Sequence, residues 1–164
     1  MKKQPDKTAF LALIQENKRI IYKICNSYCR NQYDREDLAQ EIIYQLWRSG
    51  ESFQADHRFS TWMYRIALNT AISFYRKEQT AGKTVELSEQ VLAMKEEGSE
   101  LEENIRQMQQ FINEFNELDR ALILLYLEKK NHKEIAEILG ISESNVGTKI
   151  SRMKEKLRQR FSNQ

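Results

Sequence analysis

One proline and five glycines among 164 residues leave few obligatory breaks in the backbone. Ala, Leu, Glu, Lys, Gln and Arg recur throughout, so the composition favours helices over sheets. Soft metal ligands are equally scarce. The two cysteines, Cys25 and Cys29, stand four apart in a helical pattern, and the two histidines, His57 and His132, lie far along the chain. No metal site is expected from that set, and the thiols read as buried structural groups in a reducing cytoplasm. No stretch approaches the roughly 20 apolar residues of a membrane span. The opening MKKQPDK has no apolar run behind it of signal-peptide length, so no membrane insertion is expected. Neither sign of charge dominates, since 26 Lys and Arg face 24 Asp and Glu for a net +2. Any affinity for a polyanion must therefore come from where the charges sit. There is no Gly-rich phosphate loop and no nucleophile motif, and the paired carboxylates Glu96–Glu97 read as solvated charge. A non-catalytic protein without a cofactor is the expectation.

What is present is helical periodicity. With 40% hydrophobic residues the chain can bury a core. Phe10, Leu13, Ile14, Ile21, Ile24, Cys25 and Tyr28 recur at steps of three and four and predict a first amphipathic helix. Asp34 is suited to cap a second, with Leu38, Ile42 and Leu46 on one stripe, Ile43 and Trp47 on another, and Ser49–Gly50 at its end. A polar loop from Glu51 to Arg58 follows. Ser60 or Thr61 would cap a third helix from Trp62 to about Lys77, with Met63, Ile66, Ala67, Thr70 and Phe74 inward. From Thr80 to Glu100 large apolar groups thin out and acids accumulate around Gly82 and Gly98, the composition of a flexible linker with a turn near Leu87–Met94. Leu101, Ile105, Met108, Ile112 and Phe115 then mark one helix, and Leu118, Leu122, Leu125 and Tyr126 the next. The expected architecture is all-α: a helical domain over 1–79, a linker over 80–100 and a second helical domain over 101–164.

The segment HKEIAEILGISESNVGTKISRMKEKLRQRF predicts a helix-turn-helix. Ile135, Ala136 and Leu139 face inward on a short helix, and small Ala136 lets a second helix cross closely. Gly140 falls where a helix ends left-handed, Ile141 plugs the corner, and Ser142 caps the next helix. Val146, Ile150, Met153 and Leu157 form that helix's buried stripe. Its opposite face displays Ser144, Gly147, Thr148, Ser151 and Arg152, flanked by Lys149, Lys154, Lys156, Arg158 and Arg160. Short polar groups can approach base edges in a major groove while Lys and Arg hold phosphates. The bland alternative, a solvated basic helix, does not account for the Gly–Ile–Ser turn with its phased apolar positions.

In the first domain, Trp62, Arg65, Asn69, Ser73, Arg76 and Lys77 share one stripe suited to stacking on unpaired bases and neutralising phosphates. Trp62 is open to a second reading as a core residue. Glu36, Asp37, Gln40 and Glu41 form an acidic patch beside Leu38, which would repel DNA and suits a protein partner.

DREDLAQEIIYQLWRS followed by FSTWMYRIALNTAISFYRK resembles the second conserved region of a bacterial RNA polymerase sigma factor of the sigma-70 family. EIAEILGISESNVGTKISRMKEKL resembles the fourth. The short layout is similar to the extracytoplasmic-function, or group IV, type, and the resemblance runs from about Phe10 to Phe161 except for the linker. It implies a cytoplasmic, dissociable specificity subunit that brings core polymerase to a −35/−10 promoter. Docking on the clamp helices of the polymerase β′ subunit would fall on Asp37, Leu38, Gln40 and Glu41. Capture of the −10 strand would fall on the loop from Phe53 to Phe59 and on Phe59, Trp62, Arg65, Asn69, Ser73, Arg76 and Lys77. Reading of the −35 duplex would fall on Ser144, Gly147, Thr148, Lys149, Ser151, Arg152 and Lys154. An anti-sigma partner is also implied. The chain departs from the family pattern at Gly147, where a long side chain is frequent, at Met153 for a small residue and at Lys154 for Arg. A glycine offers no side chain to a base edge, which points to an unusual −35 preference or one leaning on DNA shape. A stand-alone helix-turn-helix regulator would explain the C-terminal half equally well, but not the acidic helix followed by the Trp–Arg–Asn stripe.

Overall fold

A computed structural model describes residues 6–53, 58–80 and 100–162, all helix, turn or coil without a strand. The linker reading, with its turn near Leu87–Met94, lies outside the described residues but for its two helical ends. Among the described residues eight α-helices run in chain order: α1 Lys7–Glu16, α2 Lys18–Tyr28, α3 Gln32–Arg48, α4 Phe59–Thr80, α5 Glu100–Asn113, α6 Glu117–Leu127, α7 His132–Leu139 and α8 Glu143–Ser162.

The periodicity from Phe10 to Tyr28 predicted one helix, and the structure breaks it in two. Asn17 turns its side-chain amide back to the Leu13 carbonyl at 2.9 Å, a competing bond that short amides make readily. The apolar phase survives the break, because Phe10 and Ile14 on α1 and Ile21, Ile24, Cys25 and Tyr28 on α2 are all buried. The cap of α3 is Asn31, not Asp34. Its side-chain oxygen accepts from the Asp34 amide at 2.7 Å while its Nδ2 donates to the Asp34 carboxylate at 2.9 Å. Asp34 thus sits in the first turn, where a carboxylate also favours the helix dipole. Leu38, Ile42 and Leu46 are completely buried, whereas Ile43 and Trp47 remain 43% and 41% exposed, so the second stripe of α3 is covered only in part, by Phe10 against Trp47.

Helix α4 begins at Phe59, ahead of the predicted caps, and its inner face is turned from the expected one. Met63, Tyr64, Ala67, Leu68, Ala71 and Ile72 are buried, while Ile66, Thr70 and Phe74 are half-buried. Each large side chain taken fully out of water contributes about 1.5–3 kcal/mol, so the shared core of α2, α3 and α4 dominates this half.

In the second half, asparagines at both loops act as caps. Asn116 accepts from the Asp119 amide and Asn131 from the Glu134 amide, each at 2.8 Å. Helix α6 ends with Lys129 at φ 61°, a left-handed position that costs a side-chain-bearing residue about 1–2 kcal/mol. Helix α7 ends at Gly140 with φ 70° and ψ 33°, where glycine incurs no such cost. On α5, Leu101 and Ile105 are 68% and 54% exposed, and burial begins only toward Phe111 and Ile112.

The two halves are joined by a buried arginine. Arg120 of α6 is 3% exposed. Its Nη1 donates to the Ser27 carbonyl at 3.2 Å, and its Nη2 to the carbonyls of Asn113 and Phe115 at 3.1 Å each. The guanidinium also lies over the rings of Tyr28 and Tyr75, at 5.4 and 4.8 Å from their centroids. Its Nε has no partner among the described residues. The Tyr28 hydroxyl donates to the Glu117 carbonyl at 2.5 Å, Arg76 pairs with the Glu117 carboxylate at 2.7 Å, and Lys23 pairs with Glu128. Burial holds the Tyr28 hydroxyl protonated far above the usual phenol range, although the Arg120 charge pulls the other way.

Candidate nucleic-acid interface

Two surfaces carry the residues singled out by the sequence. The first is a groove of about 810 Å³ between α3 and α4. Asp37, Gln40, Glu41, Tyr44 and Gln45 form one wall, and Asn69, Thr70, Ser73, Phe74 and Lys77 the other. The acidic patch and the polar stripe, read from the sequence as separate surfaces, therefore face each other. Asp37, Gln40, Glu41 and Tyr44 recur at steps of three and four, so one helical face presents them all. Glu41 is held by the side-chain amide of Gln45 at 3.0 Å. Asp37 and Lys77 make no ion pair among the described residues, which leaves one charge of each sign open to solvent on opposite walls. Leu38 needs a correction as a docking residue: it is completely buried and supports the acidic face from beneath.

On α4 the stripe is exposed at Arg65, Asn69, Ser73, Arg76 and Lys77. Arg76 is engaged with Glu117, and the hydrogen bond from Arg76 is the first reason that the Glu117 carboxyl is held below its usual range. Trp62 is half-buried, packed into the core on the side that the second reading expected. Its ring packs on Phe10, Phe53 and Phe59 at centroid distances of 5.7, 5.3 and 5.5 Å. Phe59, expected on the strand-contacting surface, is 9% exposed and fills the centre of this cluster, edge-on to Phe10 and Phe53. As a contact to DNA it is corrected: aromatic partners on both sides keep its ring inside.

The second surface is the helix-turn-helix. Ile135, Ala136 and Ile138 are buried on α7, and Val146, Ile150 and Met153 on α8. Ser142 Oγ accepts from the Asn145 amide at 3.0 Å, capping α8 as expected. Ser144, Thr148, Ser151, Arg152 and Lys154 are exposed on one side of α8. Thr148 Oγ1 donates to the Ser144 carbonyl at 3.0 Å, which ties down one hydroxyl hydrogen but leaves its oxygen free to accept. Lys149 is half-buried and paired with Asp119 at 3.0 Å, so it braces α8 on α6. Lys154 lies over the Tyr126 ring at 5.2 Å. Gly147 is half-buried, and His132 is the group lying against it.

Sequence reasoning missed Arg120, Asp119 and Glu117. The signal for Arg120 was present: a lone arginine inside the apolar run LDRALILLYL sits at a helical position that faces inward. The cysteines are buried and free. Burial pushes the Cys25 thiol to about 11 and that of Cys29 to about 12, with the neighbouring thiol and Asp34 adding to the latter. Among the described residues, no group of His, Cys, Asp and Glu could hold a metal ion. No described helix is long and apolar enough to cross a membrane.

Comparison with known proteins bears on both surfaces. The family model for Sigma-70 region 2 matches residues 13–81, and that for Sigma-70 region 4 matches residues 105–157. The chain is 32% identical to the ECF RNA polymerase sigma factor SigW of Bacillus subtilis, covering 97% of this chain and 92% of that protein. Its fold is similar to that of CnrH in complex with the cytosolic domain of CnrY, with a TM-score of 0.70 at 20% identity over 97% of this chain and 91% of the other. It is also similar to the sigma factor RpoE in complex with the anti-sigma factor NepR from Bartonella quintana, with a TM-score of 0.62 at 17% identity over 90% and 95%. With the groove formed by the first matched segment and the helix-turn-helix by the second, this chain belongs to the extracytoplasmic-function sigma factors of the sigma-70 family.

Proposed function

We propose that the two surfaces divide the work of a promoter-specificity subunit at the residue level. The observation that carries this reading is the α3–α4 groove, with carboxylates on one wall and Asn69, Ser73 and Lys77 on the other. Carboxylates disfavour a phosphate backbone and attract a basic protein surface, so Asp37, Gln40 and Glu41 dock the polymerase clamp helices. Tyr44 extends the same helical face. Across the groove, Arg65, Asn69, Ser73 and Lys77 hold the −10 strand, with half-buried Trp62 at the end of the same stripe. Arg76 joins them when it is released from Glu117. Extruding a base costs a few kcal/mol, and polymerase docked on the facing wall would keep the pocket in place to recover it.

On the helix-turn-helix, Ser144, Thr148, Ser151 and Arg152 read the −35 duplex, and Lys154 contacts phosphate. Lys149 supports the helix through Asp119. Region 2 spans 1–79, the linker 80–100 and region 4 101–164. The protein acts in the cytoplasm and catalyses no reaction itself, since RNA synthesis belongs to the core enzyme. An anti-sigma factor as a partner is supported by the similar fold of the sigma factor RpoE, which was solved in complex with the anti-sigma factor NepR.

Mixing the purified chain with bacterial core polymerase and separating by size tests the assignment. Stoichiometric co-elution is expected, and it should vanish when Asp37 and Glu41 are replaced by Lys while circular dichroism stays unchanged. Undiminished co-elution of the charge-reversed protein would remove the acidic face from the docking surface.

A further inference from the structure

The exposed side of α8 has one gap. Ser144, Thr148, Ser151 and Arg152 are open to solvent, and Gly147, one turn from Ser144 and Ser151 at the margin of this face, is half-buried. The cover comes from another helix. A Cβ placed on Gly147 would meet two atoms, Cε1 and Nδ1 of His132, each at 3.7 Å. His132 is the first residue of α7, and its place is set by the Asn131 cap. The imidazole is itself exposed, and neither ring nitrogen has a hydrogen-bond partner among the described residues. A ring recruited only for packing would be drawn into the core; this one stays wet and rests on backbone at the edge of the polar face, next to Ser144 and Ser151.

We infer that His132 supplies the base-reading side chain that the recognition helix lacks at Gly147, an inference that rests on the −35 reading proposed above. The chemistry selects the target. In the major groove both purines present an N7 acceptor, and guanine adds O6 beside it. An imidazole N–H can donate to either. At Gly147 no side chain of α8 competes for the space, so the groove can bring a base edge up to the ring lying there. The −35 preference is thus read jointly by α8 and by the first residue of α7, with a purine at the base pair facing Gly147.

Transcription by core polymerase with the full-length chain, on templates randomised across the −35 element, tests this through the sequences of the transcripts. The wild type should select a purine at one position. His132→Ala and His132→Phe should each lower that selectivity about tenfold, the size of one good base contact, while the other positions stay as they are. Phe keeps a ring over Gly147, so a loss shared by both variants separates hydrogen bonding from packing. The wild type should also lose that selectivity on templates carrying the 7-deaza purine there, to which His132→Ala should be indifferent. Unchanged preference in both variants would reduce His132 to a packing group and overturn the inference. So would a uniform fall in transcript yield without change of preference, which marks a phosphate contact. If the wild type selects no −35 sequence at all, the underlying −35 reading fails, a result distinct from the first two.

Discussion

Replacing Arg120 with alanine removes a charged donor from three carbonyls at once, those of Ser27 in the first half and Asn113 and Phe115 in the second. A hydrogen bond from a charged group contributes about 1.5–3 kcal/mol net. At 3.1–3.2 Å these bonds belong at the lower end of that range. Contact with the Tyr28 and Tyr75 rings adds about 1–2 kcal/mol in a desolvated setting. Opposing this, removing the guanidinium relieves the cost of burying its charge and its unpartnered Nε, which takes back several kcal/mol. The expected net loss is about 3 kcal/mol, since three carbonyls are left without their donor while no charge remains buried. Urea unfolding of the full-length chain, followed by circular dichroism, should then show a midpoint lowered by roughly 1–3 M for a slope of about 1–3 kcal/mol per molar. Small-angle scattering should show the halves loosening, because Arg120 is the buried link of the joint, while Arg76–Glu117 and Lys23–Glu128 are solvent-screened pairs. Arg120→Lys keeps the charge but cannot fork to both sides, so it should recover less than half of the loss. A midpoint within about 0.5 kcal/mol of wild type, the range of an ordinary surface change, together with an unchanged radius of gyration, would refute this account of the joint.

Other expectations follow from single groups. The Glu117 carboxyl is held below its usual 4.5 by the hydrogen bond from Arg76, so its contribution is full above that value and is lost as pH falls below it through the depressed one. Energy transfer between dyes on α3 and α8 should fall on acidification, and an equal fall in Glu117→Gln would exclude this carboxyl as the cause. Two left-handed positions should respond with opposite signs in thermal unfolding. Gly140→Ala, where a Cβ meets nothing within 4 Å, should lose about 1 kcal/mol from backbone strain alone, while Lys129→Gly should gain up to about 1 kcal/mol. Cys25 and Cys29 should resist alkylation in the native protein at pH 8 and react once it is unfolded, which mass spectrometry can follow; labelling of both at the rate of a free thiol would contradict their burial.

Much of this fold was legible wherever a pattern is local. The helix-turn-helix follows from Gly140, Ser142 and the phased apolar positions, because turn and cap chemistry involve neighbours only; Leu139 and Leu157, expected inside, are half-buried, and Ile138 takes the inner place instead. The break at Asn17 was hidden because the apolar phase carries through it. The cap at Asn31 was hidden by a better-looking Asp34 three residues on. The inner face of α4 was misjudged because Trp62 and Phe59 follow an aromatic cluster assembled from α1, the loop at Phe53 and α4, which no single periodicity reveals. For the same reason the meeting of the acidic face with the polar stripe, the engagement of Arg76 and the position of His132 over Gly147 came only with tertiary structure. These are contacts between segments far apart in the chain.

The aromatic cluster has an optical consequence. The chain has two tryptophans, and both Trp47 and Trp62 pack on Phe10, at 6.0 and 5.7 Å. Intrinsic fluorescence excited at the red edge therefore originates from the N-terminal half alone, and the helix-turn-helix is dark. Quenching or a spectral shift on adding a single-stranded oligonucleotide would report from beside the α4 stripe without any label. Binding of a duplex to α8 would leave the emission silent unless the signal crossed the Arg120 joint. The unmodified protein thus carries a one-sided lamp, and whatever dims it from the far side measures how tightly the two halves are coupled.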